Sequence, residues 1–424
     1  IMRILWFTNT LIPGKEQSEM HTLRAGGGWM LALCQAMREA HKELKLAIAS
    51  TRPVSSLEKY RTGDIDCFVV PMRNKDSRKS EANALRICSD IVREWAPDVI
   101  HVHGTERFFG LLFARGMVGV PTVISIQGLL KPYAEWHHYF GNRSLIELVR
   151  MHRFIEIPAM RGQIWNYCRL RRNVERETEI IRGNRHFMGR TAWDRAHLLN
   201  INPDARYYPA GEVLRPPFWE ARWDLSGCRR HRIVFTNPGH PRKGTEILLN
   251  AADALHRDFP DIEVALIGEL SSRSGYGRYI RKEIRARSRF VRELGPLNAE
   301  EMARELIRSH LFVSPSYIDN SPNAVCEAQL VGMPVISSYT GGVPSLIEEG
   351  RTGLFFQTGD VPMLASRLRE VFENDALAVR LGGTAREAAC MRHDPHTVVQ
   401  QVLSAYDGAL GKAGKNTNFV EAFN

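Results

Sequence analysis

Two acidic residues lie close together in the segment 314–360, SPSYIDNSPNAVCEAQLVGMPVISSYTGGVPSLIEEGRTGLFFQTGD, which begins at the end of a predicted strand. Asp319 falls in the loop after that strand. Glu327 falls eight residues later, on a helix that we expect to begin near Pro322, because proline suits the first turn of a helix. Ligands of open α/β sheets bind outside the carboxyl ends of the strands. Two carboxylates at such an edge could hold the hydroxyl groups of a ligand.

The start of the same helix offers backbone donors. The first amides of a helix have no partner inside it, and the helix dipole places partial positive charge there. A phosphate or a sugar oxygen can therefore bind at such a helix start. We predict that the donors are the amides of Asn323, Ala324 and Val325.

A basic pair lies in a second strand-to-helix loop, NPGHPRKGTEILLNA, at residues 237–251. Lys243 is followed by Gly244, so a charged side chain and free amides would meet at a helix start. Together with Arg242, this arrangement could neutralise a pyrophosphate, and a departing diphosphate requires such neutralisation. We predict an anion site at this loop.

The first half of the chain adds candidate site residues in three segments, one at the start of a helix after the first strand and two at predicted strand ends. Gly27 and Gly28 belong to the run AGGGWM, where glycines let the backbone approach a phosphate closely. His101 and His103 share one face of a strand, but two histidines are an incomplete metal site, and we expect a packed pair. We retain His103 as a site residue, add Gln127 from the motif SIQG, and predict no metal site.

The elements that position these residues alternate between apolar strands and amphipathic helices, which indicates βαβ units and parallel sheets. The predicted fold class is α/β, with two Rossmann-like domains facing across a cleft. We predict an N-terminal domain over 1–212 with an inserted basic, aromatic segment over 131–186, and a C-terminal domain over 213–395. Residues 396–424 are predicted to be a last helix that packs back on the N-terminal domain, followed by a polar tail.

The acidic segment resembles glycosyltransferase family 4, the group 1 glycosyltransferases of the GT-B fold, whose hallmark is two glutamates at this spacing. The resemblance extends through the second half of the chain and more loosely through the first. It implies that Asp319 contacts hydroxyls of the donor sugar, that Glu327 binds the ribose of the nucleotide and that Lys243 neutralises the leaving diphosphate. The first acid here is aspartate, one methylene shorter than glutamate, which leaves the identity of the donor open.

Other departures from the family concern the basic loop and the acceptor side. The family often has an arginine near the position that Pro238 occupies here, so we expect Arg242 to share the work of Lys243. The resemblance implies that Gly27 and Gly28 lie opposite the donor phosphate. Gln127 stands where many relatives carry a histidine near the reacting sugar, so no titrating base is expected there.

The expected function is a retaining, metal-independent glycosyltransferase that needs no cofactor and uses a nucleotide-sugar donor. The resemblance implies a saccharide or lipid-linked acceptor and bacterial surface polysaccharide synthesis. The motif DID at residues 64–66 precedes a strand instead of following one, so we interpret it as structural and not as a metal-binding motif. Two alternatives stay open: a nucleotide-sugar 2-epimerase, and a non-catalytic protein that binds nucleotides or carbohydrates.

The composition of the chain indicates in which cellular compartment the protein is expected. The chain has 424 residues, 44% hydrophobic and 25% charged, as in globular proteins of two domains. Its seven cysteines are an odd number with no C-x-x-C pair, which favours reduced thiols in a cytosol. The opening apolar run is interpreted as a strand and not as a signal peptide, and no transmembrane helix is predicted. We expect a cytoplasmic protein, with attachment to the inner face of the plasma membrane as an open alternative.

The net charge of +10 favours anionic partners, and much of it is local. Residues 131–190 contain twelve Lys and Arg against six Asp and Glu. Trp136, Tyr139 and Phe140 lie among these cations, so this segment could dock on an anionic membrane surface or form an extra helical layer. Nucleic acid is not an expected partner, because no recognition helix or stacking motif accompanies the charge.

Overall fold

A computed structural model describes residues 2–10, 28–73, 77–151 and 162–412. The chain divides into two compact units. The first comprises Ile1–Leu130, Arg171–Val213 and His393–Asn424, and the second comprises Lys131–Leu170 and Leu214–Arg392. Each unit is built on a mostly or wholly parallel sheet with flanking helices, so the predicted α/β class with two Rossmann-like domains is confirmed.

The sheet of the first unit has eight strands in the order β3-β4-β2-β1-β5-β6-β7-β8. All neighbouring strands are parallel except β3 and β4, which form an antiparallel edge. Residues Ile4 to Phe7 of the central strand are fully buried, as expected where helices cover both faces of a parallel sheet. The strands are β1 (Arg3–Thr8), β2 (Lys45–Arg52), β3 (Glu58–Thr62), β4 (Ile65–Pro71), β5 (Val99–His103), β6 (Thr122–Ser125), β7 (His186–Gly189) and β8 (Arg206–Pro209).

Helices of the first unit pack on this sheet through apolar faces. The last helix is held on the central strand by the Tyr406 hydroxyl, which accepts a hydrogen bond of 3.1 Å from the Trp6 indole. The His101 imidazole lies 2.8 Å from the same hydroxyl, so one buried polar group joins three elements. The helices are α1 (Gly28–Ala40), α2 (Arg78–Trp95), α3 (Leu111–Ala114), α8 (Ala192–Ile201) and α16 (Pro395–Ala409); α4 (Leu130–Tyr133) and α7 (Gln163–Gly183) continue across the boundary between the units.

The second unit has a six-stranded parallel sheet in the order β11-β10-β9-β12-β13-β14. This is the strand order of a dinucleotide-binding sheet, in which the chain reverses direction across the sheet between β9 and β12. The carboxyl ends of those two strands therefore flank the topological switch point. The strands are β9 (Arg229–Thr236), β10 (Glu263–Ile267), β11 (Val291–Gly295), β12 (Ser309–Ser314), β13 (Val335–Ser338) and β14 (Leu354–Phe356).

The helices of the second unit cover both faces of its sheet. A large core cluster, including Phe235, Leu248 and Leu266, packs helices on one face, and a second, including Val234, Phe312 and Leu330, packs them on the other. The helices are α5 (Trp136–Phe140), α6 (Leu145–Met151), α9 (Pro216–Glu220), α10 (Thr245–Leu255), α11 (Gly275–Ala286), α12 (Ala299–Ile307), α13 (Asn323–Val331), α14 (Val361–Glu373) and α15 (Asp375–Arg392).

The inserted segment groups differently from the prediction. We expected residues 131–186 to belong to the N-terminal domain, whereas Lys131–Leu170 belongs to the second unit. The reason is a buried ion pair between Arg143 and Glu246, together with the packing of α6 on α11. The alternation of strands and helices along a sequence does not specify which sheet an insertion packs against.

Within the described ranges, no helix is long and apolar enough to cross a bilayer.

Candidate functional site

Two loops of the second unit meet at the switch point. The loop after β9 contains a 3-10 turn, Pro241–Lys243, and the loop after β12 contains Asp319. The backbone amide of Tyr317 donates to the carbonyl of Arg242 at 2.8 Å, which ties the loops together. Gly244 has φ +66, and a Cβ there would lie 2.1 Å from the Pro315 oxygen. Only glycine allows this approach, so the KG pair of the sequence has a steric reason.

The two basic side chains converge on one carboxylate. Lys243 Nζ lies 2.5 Å from Asp319 Oδ2, and Arg242 Nη1 lies 3.3 Å from Oδ1. The hydroxyl of Ser316 donates to Oδ2 at 3.1 Å. Three predicted site residues are thus in direct contact. Because two cations face one carboxylate, the cluster has an excess of positive charge that a bound anion would neutralise.

The pKa values of this cluster follow from burial and charge. Burial alone would raise the pKa of Asp319, but Lys243 and Arg242 lower it below its usual value. Burial lowers the pKa of Lys243, and Arg242 adds to this effect, while Asp319 opposes it. Burial, followed by the same two cations, lowers the pKa of His240 to about 3, so this imidazole is neutral. Its Nδ1 accepts a hydrogen bond from the Arg242 amide at 3.1 Å and caps the turn.

The sequence TGG at residues 340–342 supports the backbone of the loop that contains Asp319. The Gly342 amide donates to the Asp319 carbonyl at 2.9 Å. Gly341 has φ +52, and a Cβ there would lie 1.9 Å from that same oxygen. A side chain at residue 341 would therefore displace the loop that carries the carboxylate.

Glu327 lies on α13, where its buried carboxylate pairs with Arg215. The Nε and Nη2 atoms of Arg215 lie 3.0 and 2.7 Å from Glu327 Oε1. The Arg215 guanidinium also lies 4.8 Å from the ring centroid of Phe218. Sequence reasoning missed Arg215, which lies in the proline-rich linker. The available signal was an arginine directly before two prolines, which fix the start of a short helix.

The start of α13 corrects one prediction. The Val325 amide donates to the Pro322 carbonyl at 2.9 Å, because the first turn closes tightly on its cap residue. Val325 therefore does not offer the unpaired amide that we expected. The prediction for Asn323 and Ala324, the first two residues of the helix, stays open.

Two predicted residues of the first unit line a small cavity of about 30 Å³, room for one or two water molecules. His103 ends β5, and Gln127 follows β6. Arg190 Nη2 donates to Gln127 Oε1 at 3.0 Å, and its Nη1 pairs with Glu212. Sequence reasoning missed Arg190 and Glu212, although Arg190 directly follows the short strand β7.

The His103 ring is surrounded by aromatic groups. Trp6 lies 4.7 Å and Trp29 5.5 Å from it, measured between ring centroids. Burial lowers the pKa of His103 to about 3. Neither ring nitrogen has a hydrogen-bond partner within the described part of the chain. A neutral imidazole beside a cavity can hydrogen-bond a ligand but cannot carry charge at neutral pH.

The remaining predicted features lie elsewhere. Gly28 begins α1, whereas Gly27 lies outside the described residues. Asp64 pairs with Arg38, and Asp66 accepts a hydrogen bond from the Trp95 indole, so both acids of the DID motif have structural partners. Among the described residues, one group could hold a metal ion: Glu135, His137 and His138 on the inserted segment, mostly exposed.

A larger cavity of about 510 Å³ opens at the carboxyl ends of β10 and β11. Its lining includes Glu269, Arg281 and Glu293, with backbone from Gly268 and Gly295. This cavity is polar and belongs to the same unit as the basic loop.

Comparison with known sequences identifies the same family that the acidic segment resembles. Residues 230–374 match the family profile described as glycosyl transferases group 1. A D-inositol 3-phosphate glycosyltransferase of Nocardioides sp. is 30% identical over 190 residues, which cover 41% of this chain and 41% of that protein. The matched part spans 39% to 55% of the length of three such curated glycosyltransferases. The resemblance predicted from the acidic segment is confirmed.

Comparison with solved structures shows the fold. The sucrose-phosphate synthase of Thermosynechococcus elongatus has a TM-score of 0.72 at 15% identity, covering 97% of this chain and 100% of that one. The Anabaena protein Alr3699/HepE, solved with UDP and glucose, has a TM-score of 0.66 at 14% identity, covering 95% of this chain and 99% of that one. At such identities the similarity concerns the fold alone.

Proposed function

We propose that this chain, which contains a group 1 glycosyltransferase domain over residues 230–374, transfers a sugar from a nucleoside diphosphate to a hydroxyl group with retention of anomeric configuration. The acceptor would be a saccharide or a lipid-linked saccharide, as in the synthesis of a surface polysaccharide. The observation that carries the proposal is the convergence of Lys243 and Arg242 on Asp319 at the switch point.

The cluster suits a diphosphate for electrostatic reasons. Asp319 neutralises one cation and leaves an excess positive charge beside the start of α10. Cations at this position act most strongly on charge that develops as the bond between the sugar and the phosphate breaks, because the site is buried and prearranged. In our proposal Lys243 and Arg242 hold the diphosphate, and Asp319 accepts hydrogen bonds from hydroxyls of the donor sugar.

The proposed reaction needs no protein nucleophile. The bond between the anomeric carbon and the phosphate oxygen breaks, and the acceptor oxygen bonds to the same face of that carbon. The acceptor proton moves to the departing phosphate oxygen, so the products are the glycoside and the nucleoside diphosphate. Gln127, whose amide is held by Arg190, would orient hydroxyl groups without gaining or losing a proton.

The nucleoside would use two further features of the second unit. Glu327 would accept hydrogen bonds from the ribose hydroxyls through the oxygen atoms of its buried carboxylate. The polar cavity at the carboxyl ends of β10 and β11 would bind the base of the nucleotide. The side chains of Lys243 and Arg242 would supply the positive charge that other glycosyltransferases obtain from a divalent ion, so we propose that neither metal nor cofactor is required.

The proposal is tested by a donor screen. We expect one of UDP-, GDP- or ADP-glucose to raise Tm and the others to raise it less, because a ligand stabilises the folded state in proportion to its affinity. The stabilising donor should support release of nucleoside diphosphate in EDTA, and NMR of the glycoside should show the donor's anomeric configuration. An epimerised nucleotide sugar would favour the epimerase, and stabilisation without turnover on an acceptor panel would favour a binding protein. An inverted anomer or loss of turnover in EDTA would contradict the mechanism.

We also propose that the inserted segment attaches the protein to an anionic membrane surface. Helix α6 buries Leu148 but exposes Leu145 by 56%, Ile146 by 64% and Val149 by 51%, and these three lie on one outward face. These three apolar side chains lie next to exposed Arg150 and Glu147, and a short helix that exposes an apolar face beside a cation has the composition of an interfacial anchor.

Liposome flotation checks this attachment. The protein should float with vesicles that contain 30% phosphatidylserine and stay in solution with pure phosphatidylcholine, because both apolar and electrostatic terms contribute. The triple substitution of Leu145, Ile146 and Val149 by glutamine should abolish flotation without changing Tm by more than a degree or two. Equal flotation of the triple variant and the parent protein would exclude α6 as the anchor.

A further inference from the structure

The inserted segment contacts the basic loop directly. The guanidinium of Arg242 lies 4.9 Å from the ring centroid of Tyr133, at the end of α4. The Tyr139 ring, on α5, meets the His240 ring edge-on at 4.9 Å between centroids. Helix α5 packs against the 3-10 turn that carries Arg242 and Lys243. Two aromatic rings of the insert therefore touch two residues of the loop.

The same segment also contacts the second loop of the site. Gly141, between α5 and α6, has φ +68, and a Cβ there would lie 2.7 Å from the Tyr317 ring. Tyr317 lies two residues before Asp319, and its amide bonds to the Arg242 carbonyl. The insert thus packs against both loops whose side chains form the charged cluster.

A buried ion pair fixes the insert in this position. Arg143 Nη2 lies 2.9 Å from Glu246 Oε1, in the first turn of α10. The Arg143 guanidinium lies 4.4 Å from the Tyr279 ring centroid. The Tyr276 hydroxyl donates to Glu246 Oε2 at 2.6 Å, so both oxygens of that carboxylate are engaged. Because the Arg143 guanidinium is fixed by these contacts, the inserted segment is a rigid support for the basic loop.

We infer that residues 131–151 act as a brace that orders the diphosphate-binding loop, with Tyr133 and Tyr139 as positioning residues for Arg242 and His240. This inference rests on the proposed function and deepens it. Tyr133 offers its ring face to the Arg242 guanidinium, which restricts that long side chain before the donor binds. Tyr139 packs against the neutral imidazole of His240. The Nδ1 atom of that imidazole in turn accepts a hydrogen bond from the Arg242 backbone amide. Ordering in advance lowers the entropy cost of binding a diphosphate.

The brace predicts a selective loss in Tyr133→Leu. An interaction of this kind contributes about threefold to tenfold in affinity. The Kd of the best-bound among UDP, GDP and ADP should rise by about that factor, whereas the Kd of the matching monophosphate should change less than twofold. The donor KM should rise in parallel, and the acceptor KM should stay constant. Isothermal titration calorimetry and initial rates give these values.

Two further variants make the result specific. Tyr133→Phe retains the ring face and should restore diphosphate affinity to within about twofold of the parent protein, and Lys282→Met, at an exposed position of α11, should behave as the parent does. Diphosphate binding by Tyr133→Leu equal to the parent's, or an equal loss for mono- and diphosphate, would overturn the brace while leaving the proposed function intact. A parent protein that binds none of the three diphosphates would overturn both.

Discussion

Replacement of Lys243 by methionine is expected to lower kcat/KM for the donor about 10²- to 10³-fold, the usual cost of removing one prearranged charge or donor from a transition state. The Lys243 side chain is only 15% exposed, and its Nζ atom shares the Asp319 carboxylate with Arg242. If this lysine stabilises the departing diphosphate, as we propose, kcat should fall more than the donor KM rises. Steady-state rates with varied donor at saturating acceptor measure both constants.

A matched control separates this effect from general loss of charge. Lys282→Met removes an exposed lysine from α11 in the same unit and should leave kcat/KM within about twofold of the parent. Lys243→Met should remain folded, because methionine retains most of the buried volume and Asp319 keeps Arg242 and Ser316 as partners. A decrease in kcat/KM of less than about threefold in folded Lys243→Met would remove this lysine from the mechanism.

The strand-helix alternation was sufficient to predict the parallel sheets. The core strands, such as β1 and β10, are short apolar runs whose residues are buried on both faces, and that pattern is visible in the sequence. The edge strands β3 and β8, and the strand β7 beside β8, were missed. Strand β3 (EKYRT) is polar and lies at an edge, and β7 and β8 have four residues each. Short or polar strands form because a neighbouring strand offers hydrogen bonds, which a local pattern does not reveal.

The candidate site residues likewise divide into those that the sequence predicts and those that it does not. Asp319, Lys243 and Arg242 were predictable, since each follows a strand and strand ends of one parallel sheet meet at the same edge. The ion pairs of Arg215 and Arg190 were not, because the acids that they contact lie 112 and 22 residues away along the chain. Long-range ion pairs depend on tertiary packing. The hydrogen bond that occupies the Val325 amide depends on the exact closure of one helical turn, which residue types alone do not fix.

The aspartate at position 319 has a consequence for charge balance. Its carboxylate is close enough to contact Lys243, Arg242 and Ser316 together, so all three compete with a sugar hydroxyl for its two oxygens. Both cations also hold the pKa of Asp319 below its usual value, so the carboxylate stays ionised at neutral pH and can only accept hydrogen bonds. A donor that places its diphosphate on the cations would release Asp319 to bind the sugar. Binding of the diphosphate and binding of the sugar should therefore each strengthen the other.

Replacement of Glu327 by glutamine should weaken binding of the preferred nucleoside diphosphate about tenfold to a hundredfold, the range for one or two hydrogen bonds to a charged acceptor. The parent protein should also bind the 2′,3′-dideoxy form of that nucleotide more weakly than the ribonucleotide by a similar factor. If the carboxylate binds the ribose hydroxyls, Glu327→Gln should bind the two nucleotides almost equally, because the substitution and the missing hydroxyls remove the same interaction. Calorimetric Kd values for the four combinations measure the coupling.

Arg215 supplies the control for this cycle, because Glu327→Gln also leaves that guanidinium without its charged partner. Arg215→Gln should weaken ribonucleotide binding by a smaller factor and retain a clear preference for the ribonucleotide over the dideoxy form, since the carboxylate that accepts from the hydroxyls is still present. If Glu327→Gln discriminates between the two nucleotides as strongly as the parent protein, the carboxylate does not contact the ribose. Glu327 would then have a structural role that includes its ion pair with Arg215, and the base and ribose would have to be held by other residues of the second unit.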